Sequence, residues 1–310
     1  MNKATFGIQS MLADSNRERL DRPMWFIFGQ GGGWLGIFTL EVWLFLTSGG
    51  VKHPSGLDLP PDVFGGTSVN ALQAGAAAQE DLALVDDFWL NINDHFPYDG
   101  ISGYTKLSLC EGIWSMKPLK KKIDDIIDIG KITTPCHVGI VTKRPAYHYS
   151  AASEDAGSSQ QWRDQIAASA AIATVFEPTE CEIDGKKYVG FDGGHLLSVP
   201  WIPYELRPGD RVDFLLHNPL DAHESDVPPD TWWPLWGNAM WALWIHTKGG
   251  HWEVLRRAKR LAEAGVDVYL WAPDEPLGDM LDGRGDTLAA RRDKGKELVK
   301  RGPIRVRDFI

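Results

Sequence analysis

Apolar and polar positions along the chain alternate between short runs with the pattern of buried strands and longer stretches with helical periodicity. Met24-Trp25-Phe26-Ile27-Phe28 is a continuous apolar run stopped by glycine, the pattern of a strand covered on both faces. After Gly29-Gln30-Gly31-Gly32-Gly33-Trp34-Leu35-Gly36, residues Ile37 to Thr47 are apolar nearly all round, which predicts a helix buried on most sides and interrupted only by Glu41. Lys52 to Pro61 is rich in Pro, Gly and Ser and reads as a loop. A second short apolar piece, Val63-Phe64, ends at Gly65-Gly66. The small residues Ala71, Leu72, Ala74, Ala76, Ala77 and Ala78 then predict a closely packing helix. Helical periodicity continues over Glu80 to Trp89, breaks from Pro97 to Gly103, and resumes from Tyr104 to Ile129. There Leu119, Ile123, Ile126 and Ile127 share one face, and Lys120-Lys121-Lys122 reads as a solvated face balanced by Asp124, Asp125 and Asp128.

In the second half, His137 to Thr142 predicts a strand and Gln160 to Ala173 a helix of small residues. Cys181-Glu182-Ile183, the turn pair Asp184-Gly185 and Lys187-Tyr188-Val189 predict a hairpin whose second arm ends at Phe191-Asp192-Gly193-Gly194. Arg211 to Leu216 predicts a strand, Trp252 to Ala264 an amphipathic helix, Val266 to Trp271 a strand and Thr287 to Lys300 a charged helix. This is an α/β pattern. We expect a polar leader over 1–23 and one domain over 24–310, in which the Pro/Asp-rich connection and Trp-rich stretch of 219–250 form a lid or insertion.

Composition narrows the function. With 310 residues and a net charge of -10, the chain lacks the clustered cations that a nucleic-acid partner requires. Cys110, Cys136 and Cys181 are odd in number and widely spaced, so neither a disulfide framework nor a zinc site is expected. The leader has no apolar signal-peptide core, and the longest apolar run, Trp34 to Thr47, falls short of the ~20 residues that span a bilayer. A cytoplasmic protein, in contact with membranes at most peripherally, is the expectation. Trp232, Trp233, Trp236, Trp241 and Trp244 crowd one segment, with Trp233, Trp236, Met240 and Trp244 at helical spacing. That face serves either core packing or docking on a lipid surface.

Three stretches carry candidate chemistry. Strand, glycine turn and helix place Ser68 of Gly66-x-Ser68 near a helix N-terminus, the setting of a nucleophile, although Asn70 stands where the full G-x-S-x-G pattern has its second glycine. The glycine loop admits two chemistries. Gly31-x-Gly33-x-x-Gly36 matches a dinucleotide fingerprint with Asp58 as the ribose-binding acid, which would make an oxidoreductase. Alternatively, the N–H groups of Gly31, Gly32 and Gly33 serve as an oxyanion hole for an acyl-transferring serine. Asp192, followed by Gly193 and Gly194 at a strand end, is a carboxylate with open space around it and a candidate base. His217, His223, His246 and His251 follow Asp192 in the nucleophile, acid, histidine order of a triad esterase, and His195 stands three residues after it.

The order of Gly31-Gly32-Gly33-x-x-Gly36, Gly66-x-Ser68 and Asp192-Gly193-Gly194, with Ala168-Ser169-Ala170-Ala171-Ile172, Phe176-x-Pro178 and Val199-Pro200 around the last, resembles the patatin-like phospholipases from about Met24 to Pro200. The resemblance implies a patatin-like three-layer α/β/α sandwich with a mostly parallel central sheet. It implies hydrolysis of acyl esters of membrane or micellar lipids, a dyad of Ser68 and Asp192, an oxyanion hole at Gly31, Gly32 and Gly33, and no metal or other cofactor. Gly66, Asn70, Gly193 and Gly194 then support the elbow and the site. Two positions depart from the family pattern: Leu35 where it usually has Arg or Lys, and Asn70 where it has Gly. A patatin-fold protein that binds lipid with weak or no turnover is the corresponding alternative.

Overall fold

The computed structural model describes residues 17, 19–90, 112–144, 146–221, 234–280 and 282–309. In chain order its strands are β1 (Trp25–Gly29), β2 (Val63–Gly66), β3 (Gly112–Trp114), β4 (Cys136–Lys143), β5 (Ala146–Ala152), β6 (Thr174–Phe176), β7 (Thr179–Ile183), β8 (Lys186–Asp192), β9 (Arg211–Leu215), β10 (Asp267–Trp271) and β11 (Ile304–Arg305). The α-helices are α1 (Gly36–Thr47), α2 (Val69–Ala78), α3 (Leu82–Leu90), α4 (Lys117–Ile126), α5 (Ser159–Ser169), α6 (Pro234–Glu263) and α7 (Gly285–Arg301). Nine strands form one mixed sheet whose middle, β10-β9-β1-β2-β4, is parallel, with β11, β5, β8 and β7 antiparallel to their neighbours; β3 and β6 pair separately.

Each face of the sheet carries its own apolar core, which makes three layers. Trp25, Ile27 and Phe64 point into the larger core with α1, α2, α4 and α5, whereas Phe26, Phe28, Val212 and Phe214 point into the other, against Val254, Ala258 and Ala262 of α6. Strands buried on both sides explain why β1 reads as an uninterrupted apolar run. α1 is covered by α2 and α7, and Gly295 of α7 allows the close crossing, because a Cβ there would lie 2.4 Å from the Phe38 carbonyl oxygen. Glu41, the one break in that helix's apolar run, pairs with Arg292 of α7 at 2.6 Å. At the β7–β8 turn Asp184 and Gly185 both have positive φ, as a two-residue hairpin requires.

Some elements differ from the sequence expectation. Within Tyr104 to Ile129 the described part is strand β3 followed by helix α4, because Gly112–Trp114 finds a partner in β6. β5, absent from the expected elements, mixes Tyr, His, Ser and Ala and owes its conformation to pairing along β4. α6 begins at Pro234, well before the predicted Trp252. The break over Pro97 to Gly103, Cys110, Trp232, Trp233 and the side chains of Trp236, Trp241 and Trp244 lie outside the described residues; Cys136 and Cys181 are buried free thiols. None of the described helices is long and apolar enough to cross a membrane.

β4 decides where distant segments meet. β5 occupies one edge from His137↔Ala152 to Lys143↔Ala146. The other edge is therefore shared: β2 ends with Gly66 opposite Val138, and β8 ends with Asp192 opposite Ile140. Because β2 runs with β4 and β8 against it, their C-terminal ends converge beside Gly139.

Candidate active site

At that convergence Ser68 turns the chain from β2 into α2 with φ 59° and ψ −127°, a left-handed conformation that costs a non-glycine residue about 1–3 kcal/mol. The turn closes only because neighbouring positions lack side chains. A Cβ on Gly66 would lie 2.0 Å from the Asn70 carbonyl oxygen, and one on Gly31 3.1 Å from Ser68 Cβ. The Thr67 N–H donates to the Gly29 carbonyl at 3.2 Å and the Ser68 N–H to Ser169 Oγ at 3.0 Å, which ties the elbow to the glycine loop and to the end of α5.

Asp192 is buried, and its Oδ1 accepts the Gly194 N–H at 2.7 Å. Burial pushes its carboxyl pKa up to about 6, while the Ser68 hydroxyl, donating toward the carboxylate, and the Gly194 N–H pull it down. Gly193 packs on β4, since a Cβ there would lie 2.3 Å from the Gly139 carbonyl oxygen. Gly139 in turn has room for no side chain, as its Cβ would come 2.7 Å from Thr67 Oγ1.

The three loop glycines differ in what their N–H groups do. That of Gly31 donates to the Ser198 carbonyl at 3.0 Å. Those of Gly32 and Gly33 have no backbone partner among the described residues, while Leu35 N–H donates to the Gly32 carbonyl at 3.0 Å. Gly33 has φ 53°, and its Cβ would lie 2.7 Å from the Met280 carbonyl oxygen, so glycine is required on both counts.

Ser68, Asp192, Gly32 and Gly33 line one cleft together with His195 and Ser198. Ser68 and Gly33 also border a second chamber, walled by apolar residues including Trp34, Leu72, Trp89, Ile123, Ile166 and Phe176. One hydroxyl therefore stands between the cleft that holds Asp192 and an apolar chamber.

The two departures have structural accounts. Leu35 is buried in the larger core. Asn70 is fully buried: its Nδ2 donates to the Gln30 carbonyl at 2.6 Å and its Oδ1 accepts the Trp43 indole N–H at 2.7 Å. Gly29 makes room for it, since a Cβ there would meet the Asn70 side chain at 2.4 Å.

Among the candidate histidines, His195 Nε2 accepts the Ala173 N–H at 2.9 Å. His217 lies behind Gly32 with both ring nitrogens in contact with other groups. His251 is buried near Pro219, and His223 and the His246 side chain lie outside the described residues. Asp58 is exposed on the loop that enters β2, at the opposite end of the parallel strands from the glycine loop. A ribose-binding acid belongs at the strand ends beside that loop, so the dinucleotide arrangement is not formed. No local sequence signal distinguishes Gly139, Ser198 or Met280, which act through main-chain atoms or through the lack of a side chain.

The model of a family described as patatin-like phospholipase matches residues 30–203, a span that opens at the glycine loop and closes just beyond Asp192. No curated protein matches the chain. Among solved structures, VipD from Legionella pneumophila is similar over 92% of this chain and 68% of its own, with a TM-score of 0.47 and 12% identity.

Proposed function

The chain belongs to the patatin-like phospholipase family, which implies lipid acyl hydrolase activity, and from that premise we propose that it cleaves fatty-acyl esters of phospholipids or lysophospholipids through a Ser68–Asp192 dyad. The observation that carries this reading is the elbow hydroxyl facing a buried carboxylate of raised pKa in one cleft. Near neutral pH such a carboxylate is ionised yet far more basic than a solvated one, as a general base must be.

Asp192 takes the Ser68 hydroxyl proton as Oγ attacks the acyl carbon. The resulting oxyanion lies against the N–H groups of Gly32 and Gly33, the two not donating to other backbone. Gly31 contributes close approach instead, its own N–H being taken by Ser198. Collapse passes the proton from Asp192 to the departing alcohol and leaves an acyl ester on Ser68. Water then attacks, giving its proton to Asp192, and the fatty acid leaves as the proton returns to Ser68. The apolar chamber suits the acyl chain, and the cleft that holds Asp192 the leaving alcohol.

Mass spectrometry of products from a mixed phospholipid and neutral-lipid extract tests the reading. Free fatty acid with its matching lyso-lipid or deacylated headgroup is expected with wild type and absent with Ser68→Ala and Asp192→Asn. Undiminished release by either variant would remove that residue from the chemistry.

A further inference from the structure

Behind the glycine loop, on the side away from the cleft, buried polar side chains bond to one another. An indole N–H only donates and a backbone carbonyl only accepts, so the contacts of Asn70 to Trp43 and to Gln30 set the orientation of its amide. The second Nδ2 hydrogen is left for His217 Nε2, 3.3 Å away. That nitrogen is then the ring's acceptor. Nδ1 carries the proton and donates to the Gly31 carbonyl at 3.3 Å. The His217 backbone N–H donates to Gln30 Oε1 at 3.1 Å, and Thr39 Oγ1 lies 3.3 Å from Nε2. The ring is seated against Gly32, where a Cβ would come 2.1 Å from Nδ1. Burial holds this imidazole neutral, with a pKa lowered to about 4.

A trans peptide group holds its C=O and N–H in opposite directions. A donor that fixes the Gly31 carbonyl toward His217 therefore turns the Gly32 N–H the other way, toward the cleft. It also polarises that peptide and makes its N–H the stronger donor. The Leu35 N–H on the Gly32 carbonyl does the same for the Gly33 N–H.

We infer that His217, clamped by Asn70, is the positioning residue of the oxyanion hole, aiming the Gly32 N–H at the acyl oxygen through its bond to the Gly31 carbonyl. The inference rests on the Ser68–Asp192 reading and adds to it a reason for Asn70 at the position where the family has glycine. Neither residue touches substrate. Both act on the geometry of a peptide that does.

The test compares wild type, Ser68→Ala, His217→Leu, His217→Asn and Asn70→Gly on a long-chain p-nitrophenyl ester. Inhibition by a long-chain trifluoromethyl ketone, whose adduct carries an oxyanion, and by the free fatty acid is measured in parallel. His217→Leu is expected to lower kcat about 10- to 100-fold with KM and fatty-acid inhibition unchanged, and to weaken the ketone by the same factor as kcat. His217→Asn, whose amide places an N–H near the Nδ1 position, is expected to recover most of kcat. Asn70→Gly should cost about fivefold in kcat, the equivalent of one hydrogen bond. If His217→Leu does not fold, as judged by its melting transition, Asn70→Gly and His217→Asn decide by the same split.

Wild-type kcat in His217→Leu and Asn70→Gly overturns the inference. So does a loss shared equally by kcat, ketone and fatty-acid binding that His217→Asn does not restore. Undiminished turnover by Ser68→Ala overturns the dyad reading beneath it, a pattern distinct from an inactive Ser68→Ala beside fully active His217 variants.

Discussion

The two sides of the glycine loop are built on opposite terms. In front stand a serine in a left-handed conformation, a buried carboxylate of raised pKa and two N–H groups with no backbone partner among the described residues. Behind it, Asn70, His217, Thr39 and Gln30 are buried with hydrogen-bond partners, and the imidazole is neutral. Groups in front keep bonding capacity that a reacting substrate would use. Groups behind bond to one another, and of these four side chains only Gln30 has a polar atom, Nε2, with no hydrogen-bond partner among the described residues. A strained elbow and a desolvated carboxylate persist only where the surroundings cannot relax around them, so the interlinked side is what allows the poised side to exist.

The largest break in that comparison is loss of the proposed nucleophile. Ser68→Ala is expected to lower kcat by about 10⁴-fold or more with the fold retained, as measured by ester hydrolysis alongside circular dichroism. Next comes the proposed base: Asp192→Asn should lower kcat by about 10³-fold while making the protein more stable. Its folded pKa lies above the ordinary carboxyl value, so the folded state favours the neutral acid. The stability this gives is present below about pH 4 and is lost as pH rises through about 6. An uncharged amide should therefore gain a few kcal/mol over wild type at pH 8 in urea unfolding and almost nothing at pH 4.

The same titration governs turnover with the opposite sign. Since the carboxylate is the active form, kcat/KM should reach a plateau above about pH 6 and fall about tenfold per unit below it, with His217 contributing nothing until about pH 4. Smaller again is the effect of crowding the chamber. Leu72→Trp narrows its wall, and the ratio of kcat/KM for a sixteen-carbon to an eight-carbon acyl ester should drop about tenfold. The smallest sharpens the front side alone: Ser68→Gly removes the Cβ that makes φ 59° costly and should add about 1 kcal/mol of stability, read by thermal unfolding.

Much of the front side was legible before any coordinates, because it rests on glycines placed where backbones nearly touch. Gly31, Gly66 and Gly193 each sit where a side chain would meet another segment, and Gly194 where one would crowd the Asp192 carboxylate, and such needs leave their mark at the residue itself. The back side left no comparable mark. Asn70 reads as a flaw in a pattern until Trp43, Gln30 and Gly29 are seen around it, and His217 is one of nine histidines with nothing local to distinguish it. Gly139 is a lone glycine in a strand, and Thr67 and Gly193, which explain it, come from other segments. β5 stayed hidden for the same reason, as its partner along β4 supplies the order that its own mixed composition does not.

By itself, then, the chain determined its alternating strands and helices, the glycine loop, the elbow with Ser68 and the strand end with Asp192, since each depends on periodicity or on conformations open to few residue types. Tertiary structure alone decided that β2 and β8 share one edge of β4, that Gly31 gives its N–H to Ser198 while those of Gly32 and Gly33 meet no backbone acceptor among the described residues, and that Asn70 and His217 close the back of the loop. Those outcomes turn on strand register and on side chains brought together from far along the chain, and both are properties of the packed molecule that no single stretch of it contains.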